Sequence, residues 1–264
     1  MSLDNEKEIH QFHNRLQELA DRSYSNSCYT FTEFCGLPEL SEYYKLQNNL
    51  QFAGTKIFGG YEDAERVIIR FGNPDDLGYE QDFPISCLKV SPLIAKFSDN
   101  LTHRDFLGAL MNQGMRRSTI GDIKVCDNSA YIFCMENIAD YIIEHLDKIK
   151  HTSVKCTLIN IYDQAMYEQV LAELDSEIPD SKTIQVMSMR ADAVISKVYN
   201  LSRNDSLNLF KAQKVYINGR LAENNAQQVK LSDVINVRGF GKCKIASSPS
   251  ETRKGKLAMT IHIW

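Results

Sequence analysis

Between Arg190 and Gly241 the sequence leaves the chain little freedom, because two helical apolar stripes run straight into a short β-run that ends on Asn-Gly. Ala191, Val194, Ile195 and Val198 recur at helical spacing, so one stripe can face a core. Ser202 opens a second helix with Asp205 three positions on, the capping-box spacing that satisfies N–H groups of the first turn. Leu207 and Phe210 continue its apolar face. Lys214-Val-Tyr-Ile-Asn218-Gly219 reads as a strand entering a tight hairpin, since Asn and Gly both tolerate positive φ. Cations are threaded through the pattern at Arg190, Lys197, Arg203, Lys211, Lys214 and Arg220. At about 100° per residue, Arg203 and Lys211 lie about 80° apart, on one side of their helix. Two short helices feeding a basic hairpin make a cationic platform.

Charge is distributed to match. From Ser188 to Trp264 there are 13 Lys and Arg against 5 Asp and Glu, a balance of +8, while the remainder carries 17 against 29, a balance of −12, giving −4 overall. A basic end on an acidic body implies a surface for a polyanion. The 264 residues exceed one average domain, so two or three are expected. Seven cysteines, an odd number without a CxxC pair, imply reduced, buried thiols and a cytoplasmic protein. With no apolar run after Met1 and none of about 18 residues elsewhere, neither a signal peptide nor a membrane contact is expected. The sequons at Asn100 and Asn200 then carry no meaning.

Along the chain, Ile9, Phe12, His13, Leu16 and Leu19 mark an amphipathic helix over residues 4–22. His10 and His13 are three apart, but no further ligand stands at zinc spacing, so no metal is expected. Thr30 to Leu50 reads as a second helical region interrupted at Pro38, and Val67 to Phe71 as a strand leading to a turn at Gly72-Asn73-Pro74. A middle unit follows: a strand from Ile85 to Val90, a helix capped by Thr102 and Asp105 and ended at Gly114, and strands at Gly121–Cys126 and Ala130–Met135. A helix through Ile138, Tyr141, Ile142, His145 and Ile149 and a strand at Val154–Tyr162 complete it. The order βαββαβ is that of the ferredoxin-like, RRM-type layout, and Tyr131 with Phe133 alternate on one strand, as stacking aromatics or as core. Leu257 to Trp264 alternates strictly and forms a closing strand. The expectation is an α+β protein: a helical/mixed N-terminal domain over 1–79, the RRM-like domain over 80–170, a linker over 171–183, and an αα-plus-β module over 184–264.

Arg190-Ala-Asp192, Leu201-Ser202-Arg203, Lys214-Val-Tyr-Ile-Asn218-Gly219-Arg220 and Asp233-Val-Ile-Asn-Val-Arg238-Gly239-Phe-Gly241 together resemble the S4 RNA-binding motif. That family is carried by ribosomal protein S4, rRNA pseudouridine synthases, tyrosyl-tRNA synthetases and small heat-shock ribosome factors. One departure is Gln213-Lys214, where the family often has a glycine before the strand. Gly59-Gly60-Tyr61-Glu62-Asp63-Ala64-Glu65-Arg66, Leu101-Thr-His103-Arg104-Asp105-Phe-Leu-Gly108-Ala-Leu-Met111, Arg116-Arg117 and Ile120-Gly121-Asp122-Ile123 resemble the YlmH family. That resemblance spans nearly the whole chain. It implies a bacterial protein from the cell-division gene neighbourhood, acting in ribosome-associated quality control on the large ribosomal subunit where a nascent chain stays attached to tRNA.

Catalytic strings do not complete. His103-Arg104-Asp105 imitates the kinase HRD, but position 110 is Leu where Asn is needed. Ser86-Cys-Leu-Lys89 fits a strand better than a β-lactamase motif. Gly59-Gly60-Tyr61 lacks the Walker lysine and GxGxxG spacing, and reads as a turn before an acidic helix start. The expected function is therefore non-enzymatic binding of rRNA, with tRNA as a further partner, by a monomer without cofactor or metal. Arg190, Arg203, Lys211, Lys214 and Arg220 are assigned to phosphates first, then Lys197, Arg238, Lys242 and Lys244. Ser202 and Asn204 are assigned hydrogen bonds at the helix N-terminus, and Arg104, Arg116 and Arg117 a secondary RNA-contact patch. The alternatives are an RNA-modifying enzyme targeted by the basic module, and a scaffold for division-related proteins.

Overall fold

A computed structural model describes residues 3–174 and 179–264, and the chain forms two compact units, Met1–Glu177 and Ile178–Trp264.

The first unit opens with α1 (Leu3–Asn26), whose stripe of Leu16, Leu19 and Ala20 is fully buried, while His13 turns to Glu42 at 3.0 Å. β1 (Thr30–Phe31), α2 (Leu37–Leu46), a 3-10 turn at Gln47–Ala53, β2 (Thr55–Phe58) and β3 (Ile68–Phe71) follow, with the strands in antiparallel order β1-β3-β2. The expected helical region from Thr30 to Leu50 is thus corrected. Thr30 and Phe31 pair with Phe71 and Arg70, and Pro38 lies in the first turn of α2, where its missing N–H leaves no bond unmade. The expected turn at Gly72-Asn73-Pro74 leads into α3 (Pro74–Leu77), with Asn73 as its cap.

β4 (Ile85–Pro92), α4 (His103–Asn112), β5 (Ile120–Cys126), β6 (Ser129–Met135), α5 (Glu136–His145), β7 (Lys148–Ile149) and β8 (Thr152–Ile159) make the expected ferredoxin-like unit, except that the second helix ends at His145 and Ile149, on the added strand β7, pairs with Thr152. The sheet runs β5-β6-β4-β8-β7 with every neighbour antiparallel, so β4 and β5 flank β6 as a split βαβ requires. Leu88, Val90, Ile132 and Cys134 meet Phe106, Leu110 and Ile142 of the helices on one face. On the other, Ile85, Cys87, Tyr131 and Phe133 meet Ile68 of β3 and Phe34 and Tyr61 of the connections beside the N-terminal sheet, together with Val170. The two sheets share a core. α6 (Gln164–Leu174) is tied on by Glu173, which accepts from Lys89 at 2.7 Å and from the Tyr131 hydroxyl at 2.7 Å.

The expected linker over 171–183 holds the end of α6 and the start of the next strand, and its residues 175–178 lie outside the described residues. In the second unit β9 (Asp180–Val186) leads to α7 (Ala191–Val198) and α8 (Arg203–Lys211). β10 (Val215–Ile217), β11 (Arg220–Leu221), β12 (Val234–Val237), β13 (Gly241–Ile245), β14 (Ser250–Glu251) and β15 (Leu257–Ile263) follow. The antiparallel order is β11-β10-β12-β13-β15-β14, with β9 along the other edge of β15. Val194, Ile195, Val198, Leu209 and Phe210 of the helices pack on Val215, Ile217, Ile235, Val237, Cys243, Ile245 and Ile261, so both helices cover one face.

Candidate nucleic-acid interface

The second unit builds its helix pair from internal clasps. The Asp192 carboxylate, buried in the first turn of α7, accepts Nε of Arg190 at 3.0 Å, a second guanidinium nitrogen at 2.6 Å and the Asn225 amide at 2.6 Å. Burial pushes the carboxyl pKa up, but the bonds from Arg190 and Asn225 outweigh it and hold the pKa below the ordinary value. Ser206 donates to the Asp192 carbonyl at 2.9 Å, joining the two helices, and Lys182 donates to the carbonyls of Lys197 and Val198, closing the C-terminus of α7. Arg190 therefore orders the scaffold, with its guanidinium already occupied on a carboxylate.

Ser202 caps α8 as expected, accepting from Asp205 N at 3.1 Å. Its hydroxyl proton goes to the Asp205 carboxylate at 2.6 Å, so this structure commits to the cap the donor that the sequence reading assigned to phosphate. Asn204 stands exposed in the first turn. Arg203 and Lys211, both exposed, bracket α8 with about 12 Å of rise between them. The expected hairpin is present: Asn218 and Gly219 take φ of 51° and 76°, and Ile217 pairs with Arg220 across them. The Asn218 side chain accepts from Val234 N at 2.9 Å and donates to Asp233 at 2.8 Å, which fixes the turn to β12. Gln213, at the position where a glycine was expected, adopts φ 54°, the left-handed region a glycine enters freely.

The assigned cations divide between two faces. Lys197, Arg203 and Lys211 are exposed on the helices, and Arg220 shares the helix-side face with Ile217, its cross-strand partner. Lys242 and Lys244 alternate with the buried Cys243 and Ile245, which places them on the opposite face of the sheet. Lys214 and Arg238 extend β10 and β12 at one end, where Arg238 N donates to the Lys214 carbonyl at 2.9 Å. Lys197, Arg203, Lys211, Lys214 and Arg238 are exposed and have no ion pair among the described residues. The acids of this unit largely serve the fold, Asp192 in its clasp, Asp205 in a cap and Asp233 accepting from Asn218 and Lys230 N. The sequence reading missed the exposed Lys230 and the turn Arg253-Lys254-Gly255-Lys256 between β14 and β15. Three cations within four positions were the available signal for that turn.

The secondary patch does not assemble as expected. Arg104 is exposed on α4, but Arg116 pairs with Glu33. Arg117 turns inward onto the carbonyls of Ile120 at 2.6 Å and Gly121 at 3.1 Å. Burial, with Arg66 nearby, pulls the Arg117 pKa down to about 10. Backbone carbonyls bind this guanidinium, so it does not face solvent beside Arg104.

The Gly59–Arg66 stretch forms no helix, correcting that expectation. It wraps the carboxylate of Asp122, which accepts from the Tyr61 hydroxyl at 2.6 Å, Glu65 N at 2.8 Å and Arg66 N at 3.1 Å. Arg66 in turn donates to the carbonyls of Ile120, Phe34 and Arg117. Gly60 has φ 103°, and a Cβ there would lie 2.3 Å from the Phe133 ring. The aromatic pair on β6 is core: Tyr131 and Phe133 are 3% and 0% exposed, so the stacking face that an RRM-type sheet presents is covered here.

Residues 79–163 match the family model described as a putative RNA-binding domain in YlmH. The chain is similar to the ribosome-associated protein quality control protein P2 of Bacillus subtilis (strain 168), with 28% identity over 215 residues, 79% of this chain and 77% of that protein. It is also similar to a solved structure, the cell division protein ylmH from Streptococcus pneumoniae, with 18% identity and a TM-score of 0.45 over 62% of this chain and 96% of that one.

Proposed function

We propose that this chain, a member of the YlmH family, is a non-enzymatic RNA-binding protein of the bacterial cytoplasm. In this reading it works on the large ribosomal subunit, contacts ribosomal RNA and tRNA, and serves the quality control of stalled nascent chains. The observation that carries it is the set of exposed cations Lys197, Arg203, Lys211, Lys214 and Arg238, free of ion pairs among the described residues, in a unit whose acids are largely spent on its own fold. Guanidinium and ammonium groups left open in this way bind phosphate by releasing condensed counterions, so affinity is high at low salt and carries little sequence preference. The name of the Bacillus subtilis relative, a ribosome-associated quality control protein, supports the ribosome as the polyanion.

The test is co-sedimentation with separated ribosomal subunits, comparing wild type with Arg203→Glu plus Lys211→Glu. Wild type is expected to pellet with large subunits and the double variant to stay in solution. Five phosphate contacts give a log–log salt slope of about −4.5, a loss of about 500-fold between about 0.05 and 0.2 M salt, and removing two contacts reduces the slope by about 1.8. Equal binding of both proteins places the interface away from α8, and failure of wild type to bind any subunit defeats the ribosomal reading.

A further inference from the structure

Phosphate contacts alone cannot tell paired from unpaired RNA, whereas an exposed aromatic face can, because only an unstacked base is free to lie on it. The second unit gathers such faces at one end of its sheet, where β10 begins, β12 turns into β13 and β15 finishes. Register brings the groups together: Arg238 N donates to the Lys214 carbonyl at 2.9 Å, Phe240 N to Val237 O at 2.9 Å and Trp264 N to Lys242 O at 2.9 Å. A Cβ on Gly241, at φ 116°, would lie 2.6 Å from the Trp264 carbonyl oxygen, so the turn needs glycine to bring β13 against this residue. The indole of Trp264 carries the Lys242 ammonium 5.2 Å from its centroid and the His262 ring edge-on at 6.1 Å, yet 42% of the residue remains exposed. Phe240, 45% exposed, rests on Tyr199 at 5.5 Å at the same end. Lys214 and Arg238 stand exposed at the same end of the sheet. Two large aromatics thus stand part-exposed at this end, Trp264 on the sheet face that carries Lys242 and Phe240 on the side of Tyr199.

We propose that Trp264, with Lys242 on its ring and Lys214 and Arg238 alongside, is a base-stacking site for a single-stranded segment of RNA, with Phe240 as a second platform. The inference rests on the RNA-binding reading above and adds to it a preference for unpaired nucleotides at this end of the sheet. A positive charge close to an aromatic face and further cations within reach of the neighbouring phosphates is the arrangement that single-strand binders use.

Trp264 is the single tryptophan of the chain, so its emission reports on this site alone. The experiment titrates the full chain with single-stranded oligoadenylate and with an RNA duplex of equal length. Tryptophan fluorescence is followed, and binding is measured independently by anisotropy of end-labelled RNA. Quenching by the single strand and not by the duplex is expected. Trp264→Ala is expected to weaken single-strand binding about tenfold (about 1.4 kcal/mol) and leave duplex binding unchanged, and Trp264→Phe to restore most of the loss. Binding of both RNAs with unchanged emission, and a Trp264→Ala variant that binds both as wild type does, overturns the stacking site while leaving RNA binding intact. Failure of both RNAs to shift the anisotropy overturns both readings. Since the fluorescence titration uses wild-type protein, it decides the matter even where the alanine variant misfolds.

Discussion

Replacing Asp122 with Asn should unsettle the first unit more than any other loss of one charge in the Gly59–Arg66 loop and the strand beneath it. The carboxylate is 9% exposed and its two oxygens accept three bonds, from Tyr61, Glu65 N and Arg66 N. Burial, then the adjacent Asp122 charge, raises the Tyr61 pKa, so the phenol stays a donor across the working pH range. An amide keeps one oxygen, and in either orientation its NH2 faces a backbone N–H, of Glu65 or of Arg66, that cannot accept. Each hydrogen bond to a charged group contributes about 1.5–3 kcal/mol, so losing one and weakening the rest costs about 2–4 kcal/mol. At about 2–4 °C per kcal/mol for a unit of this size, Tm should fall by about 5–15 °C. The assay is thermal unfolding followed by circular dichroism at neutral pH. Asp63→Asn serves as the control, because Asp63 is exposed at φ 64°, which Asn tolerates, and should move stability by no more than about 0.5 kcal/mol. A change of that size at Asp122, or equal changes at both positions, would refute the carboxylate as the organiser of this loop.

Two further outcomes follow from single residues. Hydrogen bonds from Lys150 and then Thr102 pull the Asp105 pKa down to about 2, so its contribution is full above pH about 4 and is lost as pH falls from about 4 to about 2; Asp105→Asn should flatten that acid limb, read by chemical denaturation across pH. Gln213→Gly should raise stability by about 0.5–1 kcal/mol, because relief of left-handed backbone strain of about 1–2 kcal/mol exceeds the extra freedom glycine gains unfolded. A lower midpoint in urea would count against that strain.

Local chemistry was what the sequence made legible. The caps at Ser202 and Thr102, the Asn-Gly hairpin and the βαββαβ order all depend on neighbours a few positions apart, and all are present. Side-chain destinations set by distant partners were not legible. Arg117 looked like a surface cation until carbonyls from β5 took it, and Arg190 like a phosphate ligand until the Asp192 carboxylate took its guanidinium. Tyr131 and Phe133 had the right alternation for a stacking face, but whether a second layer covers a sheet is a tertiary fact. The first four residues of β9, 180–183, were read as linker because only Ile184 and Val186 of its seven residues face a core. Pro38 was read as an interruption, although the same residue suits the first turn of a helix.

That overlooked strand governs when the second unit can exist. β9 pairs along its whole length with β15, Asp180 opposite Ile263, so the first strand of the unit is completed only by its last. Closing a loop of that length costs about 4 kcal/mol in chain entropy before any pairing repays it. A chain still being synthesised can form α7, α8 and the central hairpin, but the sheet stays open along β9 until residue 263 has emerged. The aromatic end of the sheet is therefore completed only once β15 is available to pair, and a fragment lacking β15 should hold its helix cations on a unit that never closes.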